Sequence, residues 1–157
     1  MTDKDKEYLS MAIEIAKKNI ESGGGPFGSV VVKGDEIISS SGNRVVPDND
    51  PTAHAEVSAI RKASTALGTF DLSGCVIYAS CEPCPMCLGA IYWSGIRRVV
   101  FASDRFSAAA AGFSDEMIYR EINLPNDRKS IEMSQGMSGE GEKVFDEWDR
   151  FPDKIRY

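Results

Sequence analysis

Apolar residues recur along the first part of the chain with the spacing of a helix and then with that of strands. Residues 8–20 carry an apolar side chain at every third or fourth position, which predicts a helix that covers one face of a core. Residues 27–33 and 36–40 flank a Gly34-Asp35 turn. This arrangement predicts a β-hairpin directly after the helix.

The middle of the chain alternates helical and strand patterns. A helix is predicted to begin with Thr52 as its N-cap and to end at Gly68. A strand over 75–79, a helix ending near Gly95 and a strand over 98–102 follow. Strand, helix and strand of these lengths form a parallel crossover. We therefore expect the two helices side by side on one face of a sheet, with their N-termini at the same edge.

The periodic spacing of apolar residues weakens after the last of these strands. Residues 107–112 are predicted to form a loop or a short helix, 134–141 a flexible segment and 142–150 a terminal helix. A length of 157 residues suits one domain, so 1–157 is expected to fold as a single unit.

The only histidine of the chain lies two residues before a glutamate and upstream of a closely spaced cysteine pair. These residues are His54, Glu56, Cys84 and Cys87. Catalytic zinc takes three protein ligands and leaves a fourth position for water, and His54, Cys84 and Cys87 make three. Glu56 is then a carboxylate beside an activated water, where it can accept and return a proton. The spacing His-x-Glu followed by Pro-Cys-x-x-Cys is the signature of zinc nucleobase deaminases.

The cysteine spacing also favours binding of one ion. Residues three apart share one face of a helix, and a helix N-terminus favours thiolate over thiol. His54 and Glu56, two apart, would diverge within a helix and converge only if the metal lies off the end of that helix.

Other interpretations of the cysteines remain open. Cys81 could join His54, Cys84 and Cys87 in a closed structural zinc site, although that would leave Glu56 without a role. Cys75 is expected to be a small core residue. The spacing is typical of metal binding in a reducing compartment, so we expect a cytoplasmic protein without a disulfide framework.

Charge argues against a nucleic-acid partner. The formal net charge is −6, and basic residues form only short pairs such as Arg97-Arg98. Proteins that bind nucleic acid usually concentrate basic side chains against the phosphates. A small uncharged substrate is favoured, and no segment is apolar enough to span a membrane.

Residues 49–56 and 80–87 resemble the cytidine-deaminase-like superfamily, in the branch that holds guanine, cytosine and tRNA adenosine deaminases. Residues 24–28, residues 111–122 and a chain ending in tyrosine resemble bacterial guanine deaminases. The resemblance implies a three-layer α/β/α fold with a central mixed sheet of about five strands, and one Zn²⁺ per chain.

The same resemblance implies roles for further residues. Asp115 would face the amino-bearing edge of the base and assist Glu56. The implied substrate contacts are Phe27 as a stacking wall, Asn43 as a ligand of the purine ring, Ala55 as a backbone donor or acceptor, and Tyr157 as a lid. The working unit would be a homodimer in which the tail 151–157 closes a partner's pocket. From the residues alone, Asn43 could be a turn residue, Phe27 a core residue, Asp115 a helix cap and Tyr157 a frayed terminus. Trp93 would lie in the core or in the dimer interface.

The implied activity is hydrolysis of guanine to xanthine and ammonia in purine salvage or catabolism. Deamination of cytosine, of a guanosine-type nucleoside or of a tRNA adenosine would use the same chemistry, although the acidic composition disfavours tRNA. A zinc-stabilised binding module without turnover is the alternative from another functional class.

Overall fold

A computed structural model describes all 157 residues. The chain divides into two units, Met1–Asp115 and Glu116–Tyr157, and each is described by itself.

Helix α1 (Asp3–Glu21) begins five residues before the predicted start at residue 8. A capping box sets this start: the Asp5 N–H donates to Thr2 Oγ1 over 3.1 Å, and the Thr2 N–H donates to the Asp5 carboxylate over 2.7 Å. These bonds satisfy N–H groups that the first turn leaves without helical partners. The first turn is therefore stabilised by polar capping rather than by the apolar pattern.

The first unit is built on a mixed four-stranded sheet with the order β2-β1-β3-β4. Its strands are β1 (Gly28–Lys33), β2 (Glu36–Gly42), β3 (Cys75–Cys81) and β4 (Arg98–Ser103). Strand β1 is antiparallel to β2 and β3, whereas β3 and β4 are parallel. The hairpin and the parallel crossover are confirmed. The sheet has four strands rather than about five, because the chain after β4 continues as helices.

Helices cover both faces of this sheet. Along β1, Val30 and Val32 pack with Tyr78 in the cluster under α1, while Val31 packs with Ile77 in the cluster on the opposite face. Helices α3 (Ala55–Leu67) and α4 (Pro85–Trp93) supply that second cluster. Alternate strand residues face opposite sides, so one strand contributes to both cores. The three-layer α/β/α class is confirmed.

The remaining elements are short helices at the ends of the strands and in the second unit. They are α2 (Val45–Asp48), α5 (Arg105–Ala110), α6 (Glu116–Glu121), a 3₁₀ turn (Asn126–Arg128) and α7 (Ser138–Arg150). Helix α7 begins at Ser138, so the expectation of a flexible segment over 134–141 is wrong for its last four residues. The single-domain organisation of 1–157 stays a prediction. No helix combines the length and the apolarity needed to cross a bilayer.

A buried carboxylate joins α1 to the sheet. Arg98 forms a bidentate ion pair with Asp5, with Nη1 and Nη2 at 2.9 and 2.8 Å from the two carboxylate oxygens. The Tyr78 hydroxyl donates to Asp5 Oδ1 over 2.8 Å. The Arg98 guanidinium, the Thr2 N–H and the Tyr78 hydroxyl together hold the pKa of Asp5 well below its usual range. The folded state therefore favours the ionised carboxylate.

We expect Asp5 to make the protein sensitive to acid. A carboxylate with a lowered folded pKa contributes stability above its unfolded pKa, near 3.9, and this contribution is lost as the pH falls toward the folded pKa. Replacing Asp5 with Asn should remove about one proton from the uptake that accompanies acid unfolding. The change in the free energy of unfolding between pH 5 and pH 3, obtained from urea unfolding, measures this proton uptake. Asp3→Asn removes a charge from the same first turn, and equal effects of the two variants would contradict the role of Asp5.

Candidate active site

The start of helix α3 brings His54 and Glu56 together. His54 is the N-cap residue, with extended backbone angles of φ −63° and ψ 158°, and Glu56 lies in the first turn. The prediction that Thr52 is the N-cap is wrong, because the Thr52 N–H and hydroxyl both donate to Asp50 Oδ1 in a preceding turn. Since His54 is not helical, the divergence expected for two helical residues two apart does not arise.

The start of helix α4 places the two cysteines in the same way. Cys84 is the N-cap residue, Pro85 occupies the first turn, and Cys87 follows within that turn. Proline suits this position because its ring fixes φ at a helical value and its missing N–H would have no helical partner. Two helix N-termini therefore carry the three predicted ligands.

The distances from His54 Nδ1 to the two cysteine sulfurs match those around a tetrahedral zinc ion. His54 Nδ1 lies 3.5 Å from Cys84 Sγ and 3.5 Å from Cys87 Sγ. Zn–S bonds of about 2.3 Å and Zn–N bonds of about 2.0 Å at the tetrahedral angle separate N and S by roughly 3.5 Å. The group of potential ligands contains no fourth residue. Cys81 is outside it and directs its thiol to the Asp104 carbonyl oxygen, 3.6 Å away.

The charges around the ligands favour a cation. The neighbouring Cys87 and His54 lower the pKa of Cys84 well below its usual value. The neighbouring Cys84 and burial raise the pKa of Cys87. A divalent cation bound here would have two thiolates and one imidazole as its ligands.

Glu56 is a buried carboxylate directly beside the ligands. Its residue is 6% exposed, and its Oε2 accepts a hydrogen bond from the Cys87 thiol over 3.4 Å. Burial raises the pKa of Glu56 above its usual value. A carboxyl group that holds a proton more readily than in water is suited to accept one and to pass it on.

Asn43 and Phe27 lie on neighbouring backbone segments at the ends of β2 and β1. The Asn43 N–H donates to the Phe27 carbonyl oxygen over 3.0 Å. Asn43 is 7% exposed, and its side-chain oxygen accepts from the Val45 N–H. This bond occupies the side-chain oxygen, so the NH₂ group of Asn43 is the part of the amide that can donate to a ligand.

Ala55 and Asp115 also belong to the first unit. Ala55 is fully buried and is the first residue of α3, so its N–H has no carbonyl one turn earlier to accept it. Burial, followed by the charge of Cys84, raises the pKa of Asp115. Tyr157 belongs to the second unit, and its role stays a prediction.

The structure adds an aromatic residue that sequence reasoning did not single out. Phe113 contacts Phe27 edge-to-face, with ring centroids 5.0 Å apart and an interplanar angle of 86°. Both rings line a cavity of about 150 Å³. The sequence feature that could have indicated Phe113 is its position two residues before Asp115, inside the segment that resembles guanine deaminases.

Comparison with known proteins includes a curated match over nearly the full length of the chain. Guanine deaminase of Bacillus subtilis is 46% identical over 151 residues, which cover 96% of this chain and 97% of that protein. The X-ray structure of guanine deaminase from Bacillus subtilis superposes with a TM-score of 0.95 at 45% identity, covering 100% of this chain and 99% of that one. The match to tRNA-specific adenosine deaminase of Aquifex aeolicus is 46% identical over 99 residues and covers 62% of this chain and 66% of that protein.

The family relationship rests on the segment that carries the metal ligands. The model of the cytidine and deoxycytidylate deaminase zinc-binding region matches residues 2–103, which include His54, Glu56, Cys84 and Cys87. The same four residues converge in the structure. The chain therefore belongs to the zinc-binding family of cytidine and deoxycytidylate deaminases.

Proposed function

We propose that this protein hydrolyses guanine to xanthine and ammonia, as an enzyme of purine salvage or catabolism. One observation carries the choice of base. Similarity to guanine deaminase extends over 96% of the chain, whereas similarity to a tRNA-specific adenosine deaminase covers 62%. The net charge of −6 also supports a small substrate over tRNA.

The protein's own residues account for the proton transfers. One Zn²⁺ held by His54, Cys84 and Cys87 would supply the Lewis acidity that activates a water molecule for attack. As the water oxygen bonds to C2 of guanine, Glu56 accepts a proton and delivers it to the adjacent ring nitrogen. Glu56 then carries the second water proton to the amine, the C2–N bond breaks, and ammonia leaves. The products are xanthine and ammonia, so atoms and protons balance.

The proposed substrate contacts would lie around this centre. Phe27 would stack on the purine ring, Asn43 would donate its amide to the ring, and Ala55 would offer its backbone N–H. Asp115 would face the amino group and assist its departure. The burial of Asn43 and the orientation of its amide support the role of Asn43.

An ammonia-release assay tests the proposed function. Purified zinc-loaded enzyme is offered guanine, guanosine, cytosine, cytidine, adenine and a tRNA anticodon stem-loop at equal concentrations. We expect the highest kcat/KM with guanine. A higher kcat/KM with another member would reassign the substrate, and no release from any of them would favour a binding module. Chelated enzyme is the control, because release that survives metal removal would contradict zinc-dependent chemistry.

We further propose a homodimer. The apolar residues Val144 and Phe145 of α7 are 63% and 72% exposed, and α7 buries none of its residues. An amphipathic helix with an uncovered apolar face gains stability from a partner surface. Trp93 is 72% exposed, so its placement in the core is wrong and the interface is the alternative that remains. None of the four cysteines forms a disulfide, which supports the proposal of a reducing, cytoplasmic location.

Deleting residues 155–157 should lower guanine kcat/KM by about tenfold or more while zinc content is retained. The proposed reason is that Tyr157 closes a pocket of the partner chain and excludes water from the reacting base. Steady-state kinetics and metal analysis measure the two effects. Mixing a tail-deleted chain with an Asp115→Ala chain should restore part of the activity if tails are exchanged. Unchanged guanine kinetics after the deletion would remove the tail from the site.

A further inference from the structure

Asn19, in the last turn of α1, is a buried polar residue outside the proposed catalytic set. It is 8% exposed. Its amide nitrogen donates two hydrogen bonds, one to the Gly25 carbonyl oxygen over 2.7 Å and one to the Asn43 carbonyl oxygen over 2.8 Å. A single side chain therefore joins the segment before β1 to the segment after β2.

These two segments carry the proposed stacking wall and the proposed amide ligand. The Phe27 N–H donates to the Gly25 carbonyl oxygen over 2.8 Å, and the Asn43 N–H donates to the Phe27 carbonyl oxygen over 3.0 Å. Together with the two bonds from Asn19, these bonds form one hydrogen-bond network that connects α1, Phe27 and Asn43. The backbone positions of Phe27 and Asn43 are thus linked to the Asn19 side chain.

Two glycines make room for this side chain. A Cβ atom at Gly42 would overlap the side chain of Asn19, and a Cβ atom at Gly24 would overlap its amide nitrogen. Neither glycine has a positive φ, so close approach rather than backbone conformation requires the missing Cβ. The backbone of both segments is therefore built around the Asn19 amide.

The end of α1 does not need this side chain for its own closure. The Asn19 carbonyl oxygen accepts from the Ser22 and Gly24 N–H groups, and these bonds belong to the backbone. The docking of α1 on the sheet comes from the apolar cluster that includes Leu9 and Val30, and from the hydrogen bonds of Asp5. The two side-chain hydrogen bonds of Asn19 instead hold the segments that contain Gly25 and Asn43.

We propose that Asn19 is a positioning residue that sets the spacing between Phe27 and Asn43 and thereby the affinity for the base. This inference rests on the proposed function. Asn19 touches no reacting atom in this scheme and acts through the two residues that it holds. Losing its donors leaves the Gly25 carbonyl oxygen with the Phe27 N–H alone and removes the Asn19 partner of the buried Asn43 carbonyl oxygen. A buried acceptor left unsatisfied costs more than the bond itself contributes.

The test uses Asn19→Asp, which preserves size but removes the donors, and Asn19→Ala in the full-length zinc-loaded enzyme. We expect the KM for guanine to rise about tenfold, with kcat within about threefold and zinc content unchanged. Asn43→Ala combined with Asn19→Ala should raise KM no further than Asn43→Ala alone. Tyr78→Phe is the matched control, since it removes a buried hydrogen bond at the other end of α1, and its KM should not change.

Hydrogen exchange gives a readout that does not depend on guanine turnover. In Asn19→Asp, residues 24–28 and 43–46 should exchange about tenfold faster, while α3 keeps its protection. Unchanged exchange in both segments, or additive effects of the Asn19 and Asn43 substitutions on KM, would overturn the positioning role. A parent enzyme that does not turn over guanine would contradict the proposed function instead, and the exchange result would still decide the role of Asn19.

Discussion

Replacing Glu56 with Gln should lower guanine turnover by at least about 10² to 10⁴, the range typical of a lost general acid/base. Gln matches Glu in size and retains a hydrogen-bonding oxygen, but it cannot accept and release a proton. Both proposed proton transfers pass through Glu56, so the loss should lie toward the upper end of that range. Ammonia release measures turnover, and metal analysis should show zinc content equal to that of the parent enzyme.

Glu82→Gln is the matched control for this substitution. Glu82 lies two residues before Cys84, and its carboxylate accepts the Arg105 N–H over 3.1 Å at the start of α5. It has no hydrogen bond to a metal ligand, so neutralising it should change turnover by only a fewfold. Activity of Glu56→Gln within about tenfold of the parent would show that Glu56 is not the proton carrier. Loss of zinc from that variant would instead indicate a structural role.

The metal site was predictable because its information is local. The spacings His54 to Glu56 and Cys84 to Cys87 lie within single turns, and a parallel crossover brings the starts of two such helices to the same sheet edge. The structure confirms this convergence. What local spacing could not predict is that His54 and Cys84 are themselves N-cap residues. Their extended backbone turns both side chains toward the space between the helix ends.

Helix starts and the end of the chain were harder to predict for a common physical reason. Helix α1 begins with the polar capping box of Thr2 and Asp5, which hydrophobic periodicity does not register. Helices α5 and α6 have six residues each and bury none of them, so they leave no apolar stripe in the sequence. Pattern reasoning detects elements that face a core, and these elements do not.

The Asn19 network shows a second limit. Its amide bonds reach residues 6 and 24 positions away, and each acceptor is a backbone carbonyl that any residue type would provide. The sequence therefore holds no pairing signal for these contacts. Only the glycines at 24 and 42 hint at a close approach, and glycine in a loop usually has conformational reasons instead.

Replacing Cys84 with Ser should remove zinc and reduce turnover to background, whereas Cys81→Ser should retain both. Zinc thiolate sites need the sulfur as an anion, and a hydroxyl does not ionise to replace it at neutral pH. Cys84 Sγ belongs to the three-residue ligand group, in which every ligand atom lies within 4.8 Å of the others. The Cys81 thiol instead donates to Asp104, and burial raises its pKa to about 11. Metal analysis of the purified variants, together with ammonia release, measures both effects.

The two cysteine variants separate the open catalytic site from a closed structural one. In a closed site with three thiolates and His54, Cys81→Ser would lose zinc as completely as Cys84→Ser, and no coordination position would remain for water. In the open site, Cys81→Ser replaces a buried thiol with a smaller and more polar hydroxyl, so its effect should appear as a modest fall in thermal stability at full zinc occupancy. Equal zinc loss in the two variants would replace the catalytic assignment with the structural one, and Glu56 would then have no activated water to serve.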